Sequence, residues 1–102
     1  MAGRLTICGT CDGPGAEIAA RVAAPGWEVC LHDCFAACAD PVAMSVQAEG
    51  RATYLFSGIA VDDIADIRAF LDLYEAAPRG WIEDARPAGR LRFCLRGRVP
   101  AL

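Results

Sequence analysis

Lysine is absent from this chain, histidine occurs once, and no acidic residue follows Asp84. No apolar run approaches the roughly 20 residues that cross a bilayer. No basic start followed by an apolar stretch precedes Thr6, so no secretory leader is read. The expectation from these absences is a cytoplasmic protein without a membrane span. Cysteine, at six of 102 residues, is sparser than in a disulfide-held miniprotein, where it exceeds about 8%. No internal repeat or low-complexity stretch interrupts the sequence. Nothing resembles a nucleophile poised beside its activating base, which argues against hydrolytic chemistry. The missing lysine is read as codon bias, with no chemical message.

What is present is the composition of a globular domain: 55% hydrophobic and 23% charged residues, net charge −3. A chain of this length buries a core without covalent staples, so residues 1–102 are read as one domain. Its charge is unevenly spread. All 13 acids lie at or before Asp84, while half of the ten arginines (Arg86, Arg90, Arg92, Arg96, Arg98) fall in the basic C-terminal tail, residues 86–102. Such a tail suits nucleic acid or an acidic partner, or else the acidic body of the same chain or of a second copy. Only Phe93 is interleaved as a stacking aromatic, so nucleic acid is not expected and packing against the protein's own acids is preferred.

The apolar pattern outlines the elements. Arg4 to Ile7 reads as a strand, Asp12-Gly13-Pro14-Gly15 as a break, and Ala16 to Ala24 as a helix with Ile18 and Val22 on one face. Trp27, Val29 and Leu31 alternate with polar neighbours in a second strand. After Pro41, Val42 to Gln47 and Arg51 to Phe56 flank the Glu49-Gly50 turn, the pattern of a hairpin. Ile64, Ile67, Leu71 and Tyr74 then trace a helical stripe, with Asp62 in the capping position. Irregular structure is expected from Trp81 onward, ending in a short apolar segment around Leu91 to Leu95. Strand–helix–strand, hairpin, helix is a thioredoxin-like α/β order with a four-stranded mixed sheet.

Four cysteines stand in two tight groups, Cys8-Gly9-Thr10-Cys11 and Cys34-Phe35-Ala36-Ala37-Cys38. Short spacers turn both sulfurs of a pair toward one point, and four sulfurs complete a tetrahedral or cluster site. In the expected layout, the loop after the first strand and the loop before the hairpin share one end of the sheet. Cys30 and Cys94 lack such spacing partners and are read as small buried hydrophobes. His32, two residues before Cys34, is an alternative ligand, though a lone histidine in a charged loop is more often solvated. Trp27, Phe70, Tyr74 and Trp81 are assigned to the core or to a subunit contact.

The run Cys34 to Cys38, Pro41, an apolar strand, Glu49-Gly50 and Tyr54 resembles the second half of thioredoxin-like [2Fe-2S] ferredoxins. The chain from about residue 5 to about residue 100 resembles more closely the bacterial DUF1636 family of predicted metal-binding proteins, above all through Cys34 to Phe56, and through Leu73-Tyr74 to Gly80-Trp81. Carried over by position, the resemblance implies a thioredoxin-like fold, ligands Cys8, Cys11, Cys34 and Cys38, and a [2Fe-2S] cluster serving electron transfer or metal handling with a redox or metal-handling partner protein. Val42 stands where many relatives carry a further cysteine, and Cys8 and Cys11 are closer together than the first pair of those ferredoxins.

Two other chemistries stay open. Four thiolates suit zinc equally well, as a closed structural site in an interaction module. Cys8-Gly9-Thr10-Cys11 between a strand and a helix also suits a thiol–disulfide pair, with Pro41 as the facing cis-proline candidate. No catalytic residue is assigned, and pairing of two copies into a homodimer stays open.

Overall fold

The computed structural model describes residues 3–9, 15–22, 26–32 and 42–101. It is a mixed α/β domain built on one five-stranded sheet. The elements are β1 (Gly3–Cys8), α1 (Gly15–Arg21), β2 (Trp27–His32), β3 (Met44–Ala48), β4 (Thr53–Phe56), α2 (Ile64–Ala76) and β5 (Leu95–Val99). Short 3-10 segments cover Val61–Asp63, Pro78–Gly80 and Arg86–Phe93. The strand order is β2-β1-β3-β4-β5. β1 and β2 run parallel, joined through α1, and every other pair is antiparallel. Parallel neighbours need a crossover, whereas antiparallel ones close through a tight turn.

That turn is Glu49-Gly50, where Gly50 takes φ +73° and the Arg51 N–H donates to the Ala48 carbonyl at 3.1 Å. The left-handed backbone there favours glycine. Period-two alternation then sends Val46 and Met44, Tyr54 and Phe56 inward, where all four are buried. The stripe on α2 meets them: Ile67, Phe70, Leu71 and Tyr74 are buried. Phe70 stands edge-on to Tyr54 and Phe56 at 5.1 and 5.0 Å between ring centroids, a favoured aromatic geometry.

Two expectations are corrected here. The sheet has five strands rather than four, because residues 95–99 pair with β4. Their alternation of Leu95 and Val99 with Arg96 and Arg98 around Gly97 is that of an edge strand, whose charges block further pairing; a reading based on apolar content passes over it. Asp63, not Asp62, stands at the N-terminal cap position of α2, but its carboxylate makes no bond to the helix's own N–H groups and turns back instead. The Asp63 carboxylate accepts the Ala60 N–H at 2.8 Å, while Asp62 is exposed.

The C-terminal arginines turn back on the chain. Arg90 holds Asp63 through Nε at 2.9 Å and through a terminal nitrogen at 2.6 Å, pinning residues 86–93 to the start of α2. Arg86 pairs with Asp84, and the Arg98 guanidinium lies 3.8 Å from the Trp81 ring centre. Among the described residues, no helix is long and apolar enough to cross a membrane.

Candidate metal centre

β1 ends at Cys8, β2 ends at His32, and β3 begins at Met44 opposite Ile7. Because β1 and β2 are parallel while β3 is antiparallel to β1, these three termini meet at one edge of the sheet. The edge is fastened by backbone bonds: Cys8 N–H to the Ala43 carbonyl at 2.9 Å and Gly9 N–H to the His32 carbonyl at 2.9 Å. Val42 and Ile59 exchange N–H donors at 3.3 and 3.1 Å, so residue 42 is fixed on its far side as well.

Cys8 lies on this edge and is fully buried. Parallel register sets His32 directly opposite it, so the alternative ligand named from sequence is the cross-strand neighbour of the first cysteine. His32 itself is exposed. Gly15, which opens α1, packs so closely on the Cys8 carbonyl oxygen that any Cβ there would collide with it. A sequence reading sees Gly15 only as part of a break, since nothing local signals a carbonyl approaching from β1. Leu31, 52% exposed, lies beside Gly9 and leaves an apolar surface at this edge.

Cys11, Cys34, Cys38 and Pro41 lie outside the described residues, as do the Asp12, Asp33 and Asp40 carboxylates. The segments that carry them, 10–14 and 33–41, are bounded by Gly9, Gly15, His32 and Val42. Among the described residues, no group of three or more His, Cys, Asp or Glu side chains gathers in a metal-holding arrangement.

The other two cysteines differ from each other. Cys94 is buried as expected, at 3% exposure. Cys30 is only half-buried, which corrects its reading as a buried hydrophobe: β2 is an edge strand, and its outer face is open. The Cys30 thiol donates to Glu28 Oε1 at 3.0 Å, and Glu28 also accepts from Arg4 Nε at 2.8 Å. That carboxylate bond, followed by burial and the Glu28 charge, pushes the Cys30 thiol above its ordinary value. The same thiol bond, then the Arg4 charge, holds Glu28 low. Cys30 is thus a poor thiolate at neutral pH.

Residues with no local sequence signal hold the rest of the scaffold. One terminal nitrogen of Arg51 donates to the Tyr74 carbonyl at 2.9 Å and the Ala77 carbonyl at 3.1 Å, closing the C-terminus of α2. The Tyr54 hydroxyl donates to the Gly80 carbonyl at 2.9 Å and accepts the Ile82 N–H at 2.8 Å.

A mixed α/β domain that gathers a buried cysteine and the bounds of two cysteine-bearing segments at one sheet edge is the class of protein these features define. The chain belongs to the DUF1636 family, described as a protein of unknown function, whose model matches residues 15–101. Cys34 and Cys38 fall inside that match, and Cys8 and Cys11 precede it, so it starts later than the resemblance drawn from sequence. No curated protein and no solved structure matches the chain.

Proposed function

We propose that this chain binds a metal through Cys8, Cys11, Cys34 and Cys38 and serves as a small electron carrier or metal-handling protein, with a [2Fe-2S] cluster as the first candidate and zinc as the second. The observation that carries the reading is the shared sheet edge at Cys8, Gly9, His32 and Val42. A residue two positions past an anchor lies within about 7 Å of it whatever path the chain takes, and one four positions away within about 14 Å. Cys11 follows Gly9 by two, Cys34 follows His32 by two, and Cys38 precedes Val42 by four. Chain length therefore permits all four sulfurs to converge beyond that edge, although the pairs are far apart in sequence.

The donor set fits the metals named. Thiolates select zinc and iron–sulfur centres, and a closed four-sulfur site binds without help from oxygen ligands. His32, the cross-strand neighbour of Cys8, would be the residue to replace a thiolate by an imidazole, a substitution known for one iron of some [2Fe-2S] centres. When bound, a cluster would supply one-electron transfer, and zinc would supply structural cross-linking. The chain's own part is to fix Cys8 by the bonds at Cys8 and Gly9 and to exclude water around it.

A thioredoxin-like fold is part of the same proposal. The order β2-β1-β3-β4, with β3 alone running against the other three, supports it, β5 being an added edge strand. The thiol–disulfide reading is weaker. An attacking thiol must be accessible, and Cys8 is fully buried, so Cys11 would have to act as nucleophile. Anaerobic purification followed by iron, sulfide and zinc analysis tests the proposal. Stoichiometric iron and sulfide in a coloured protein support the cluster, and colourless protein with one zinc supports the structural site. Metal-free protein with a Cys8–Cys11 disulfide overturns metal binding.

A further inference from the structure

We infer that Arg90 is a positioning residue for the candidate metal centre: it latches residues 57–60 against Val42 and Ala43, and through them holds Cys8 in place. This inference rests on the proposal that Cys8 is a metal ligand.

The Cys8 N–H is fastened to the Ala43 carbonyl at 2.9 Å. Ala43 and Val42 precede β3 and lie outside its paired residues. Their far side is held by Ile59, which exchanges N–H donors with Val42 at 3.3 and 3.1 Å. Residues 57–60 also lie outside any strand or helix: β4 ends at Phe56, and Gly58 turns the chain at φ +75°. Two irregular stretches thus meet at the sheet edge, beyond the continuous ladder that protects a strand from local opening. Val42, Ala43 and Ile59 are buried there all the same.

The C-terminal segment supplies the support. The Ser57 N–H donates to the Cys94 carbonyl at 2.9 Å. One terminal nitrogen of Arg90 donates to the Gly58 carbonyl at 2.7 Å and to Asp63 at 2.6 Å, while Nε reaches the other Asp63 oxygen at 2.9 Å. The same carboxylate accepts the Ala60 N–H at 2.8 Å. One ion pair therefore grips the stretch at Gly58 and at Ala60, on either side of Ile59. A guanidinium suits this task because its donors are fixed in a planar fork.

The backbone is shaped to deliver that arginine. Gly89 takes φ +62°, and a Cβ there would collide with the Asp66 carboxylate. The Arg90 N–H donates to the same carboxylate at 3.1 Å. Glycine thus lets the chain approach α2 closely enough for Arg90 to reach the residues before its first turn. A pair serving stability alone would need only Asp63; the bond to Gly58 ties it to the partner of Val42. A site that is assembled in only a fraction of molecules binds its ligand more weakly by that fraction, so loosening the latch should weaken metal binding.

Amide hydrogen exchange on the metal-free full chain, paired with zinc titration, tests this. Two variants are compared with wild type: Arg90→Gln, and Asp63→Asn combined with Arg90→Gln, which leaves no unpaired buried charge. In each, the Cys8, Val42 and Ile59 amides should exchange at least about fivefold faster, beyond any change at the Ala52 amide, which bonds Arg79 at the opposite end of the sheet. Zinc affinity should fall by the same factor. Tyr54→Phe, which removes bonds away from this edge, should lower stability and leave zinc affinity unchanged. Faster exchange with zinc affinity intact overturns the positioning role, and so does unchanged exchange at the three amides. A loss of zinc affinity as large in Tyr54→Phe overturns it too, since general destabilisation would then explain the effect. A wild-type chain that takes up no zinc overturns the metal reading itself, and this inference with it.

Discussion

Replacing Asp63 by Asn should lower stability at neutral pH by about 2–3 kcal/mol. The carboxylate is almost wholly buried, with 4% of its side chain exposed. It accepts two bonds from Arg90, at 2.9 and 2.6 Å, and one from the Ala60 N–H at 2.8 Å. Hydrogen bonds to a charged group each contribute about 1.5–3 kcal/mol net. An amide retains an oxygen for Ala60 but turns at best one acceptor toward the guanidinium. Arg90 is half-exposed, so water recovers part of the loss, which brings the sum down to the figure given. For a chain of this size that corresponds to a melting temperature lower by about 8–15 °C. The pH dependence follows from the folded-state shift. Burial is the largest single influence and raises the Asp63 pKa, but the Arg90 and Ala60 hydrogen bonds with the Arg90 charge outweigh it, and the group ends below its ordinary value. A lowered carboxyl contributes its stability above the unfolded value of about 3.9 and loses it as pH falls through the lower folded value. The gap between wild type and Asp63→Asn should thus be full at pH 7 and close in acid. Urea unfolding followed by far-UV circular dichroism across that range measures it. A gap below about 0.5 kcal/mol at pH 7, or one that persists unchanged into acid, would refute the reasoning.

Tyr54→Phe leaves the Gly80 carbonyl and Ile82 N–H without the hydroxyl that joins them, and should cost about 1–3 kcal/mol in the same urea experiment. Gly15→Ala drives a methyl into the Cys8 carbonyl oxygen; it should both destabilise the fold and reduce metal retained after purification, whereas Gly97→Ala, where a Cβ meets open space, should leave metal content unchanged. Cys30 should react slowly with iodoacetamide at neutral pH, and Glu28→Gln, which removes the carboxylate that disfavours its thiolate, should speed alkylation as read by peptide mass spectrometry.

Much of the framework is legible in the sequence because its signals are local. The alternation of Val46, Tyr54 and Phe56 about Glu49-Gly50, and the stripe from Ile67 to Tyr74, each declare their period within a dozen residues. What escapes is set by partners distant in the chain. β5 forms because β4 offers it an edge, and its own Leu-Arg-Gly-Arg-Val pattern is too short and too charged to announce a strand. Asp62 and Asp63 are indistinguishable in the sequence; Arg90, 27 residues on, pairs with Asp63, while Asp62 stays exposed. Cys30 reads as a small buried hydrophobe for want of a spacing partner, yet β2 lies at the sheet's edge. At the candidate centre, the spacing within each cysteine pair is visible in the sequence. The facing of Cys8 and His32 depends on the parallel register of β1 and β2, which no local pattern encodes.

X-ray absorption at the iron and zinc edges, on protein purified without oxygen, asks most directly whether sulfur surrounds a metal here. The account predicts a first shell dominated by sulfur at about 2.3 Å, with a short iron–iron distance if the centre is a cluster, and its loss when Cys34 and Cys38 are both changed to serine. A shell of nitrogen and oxygen alone, or a sulfur shell indifferent to those two cysteines, would contradict it.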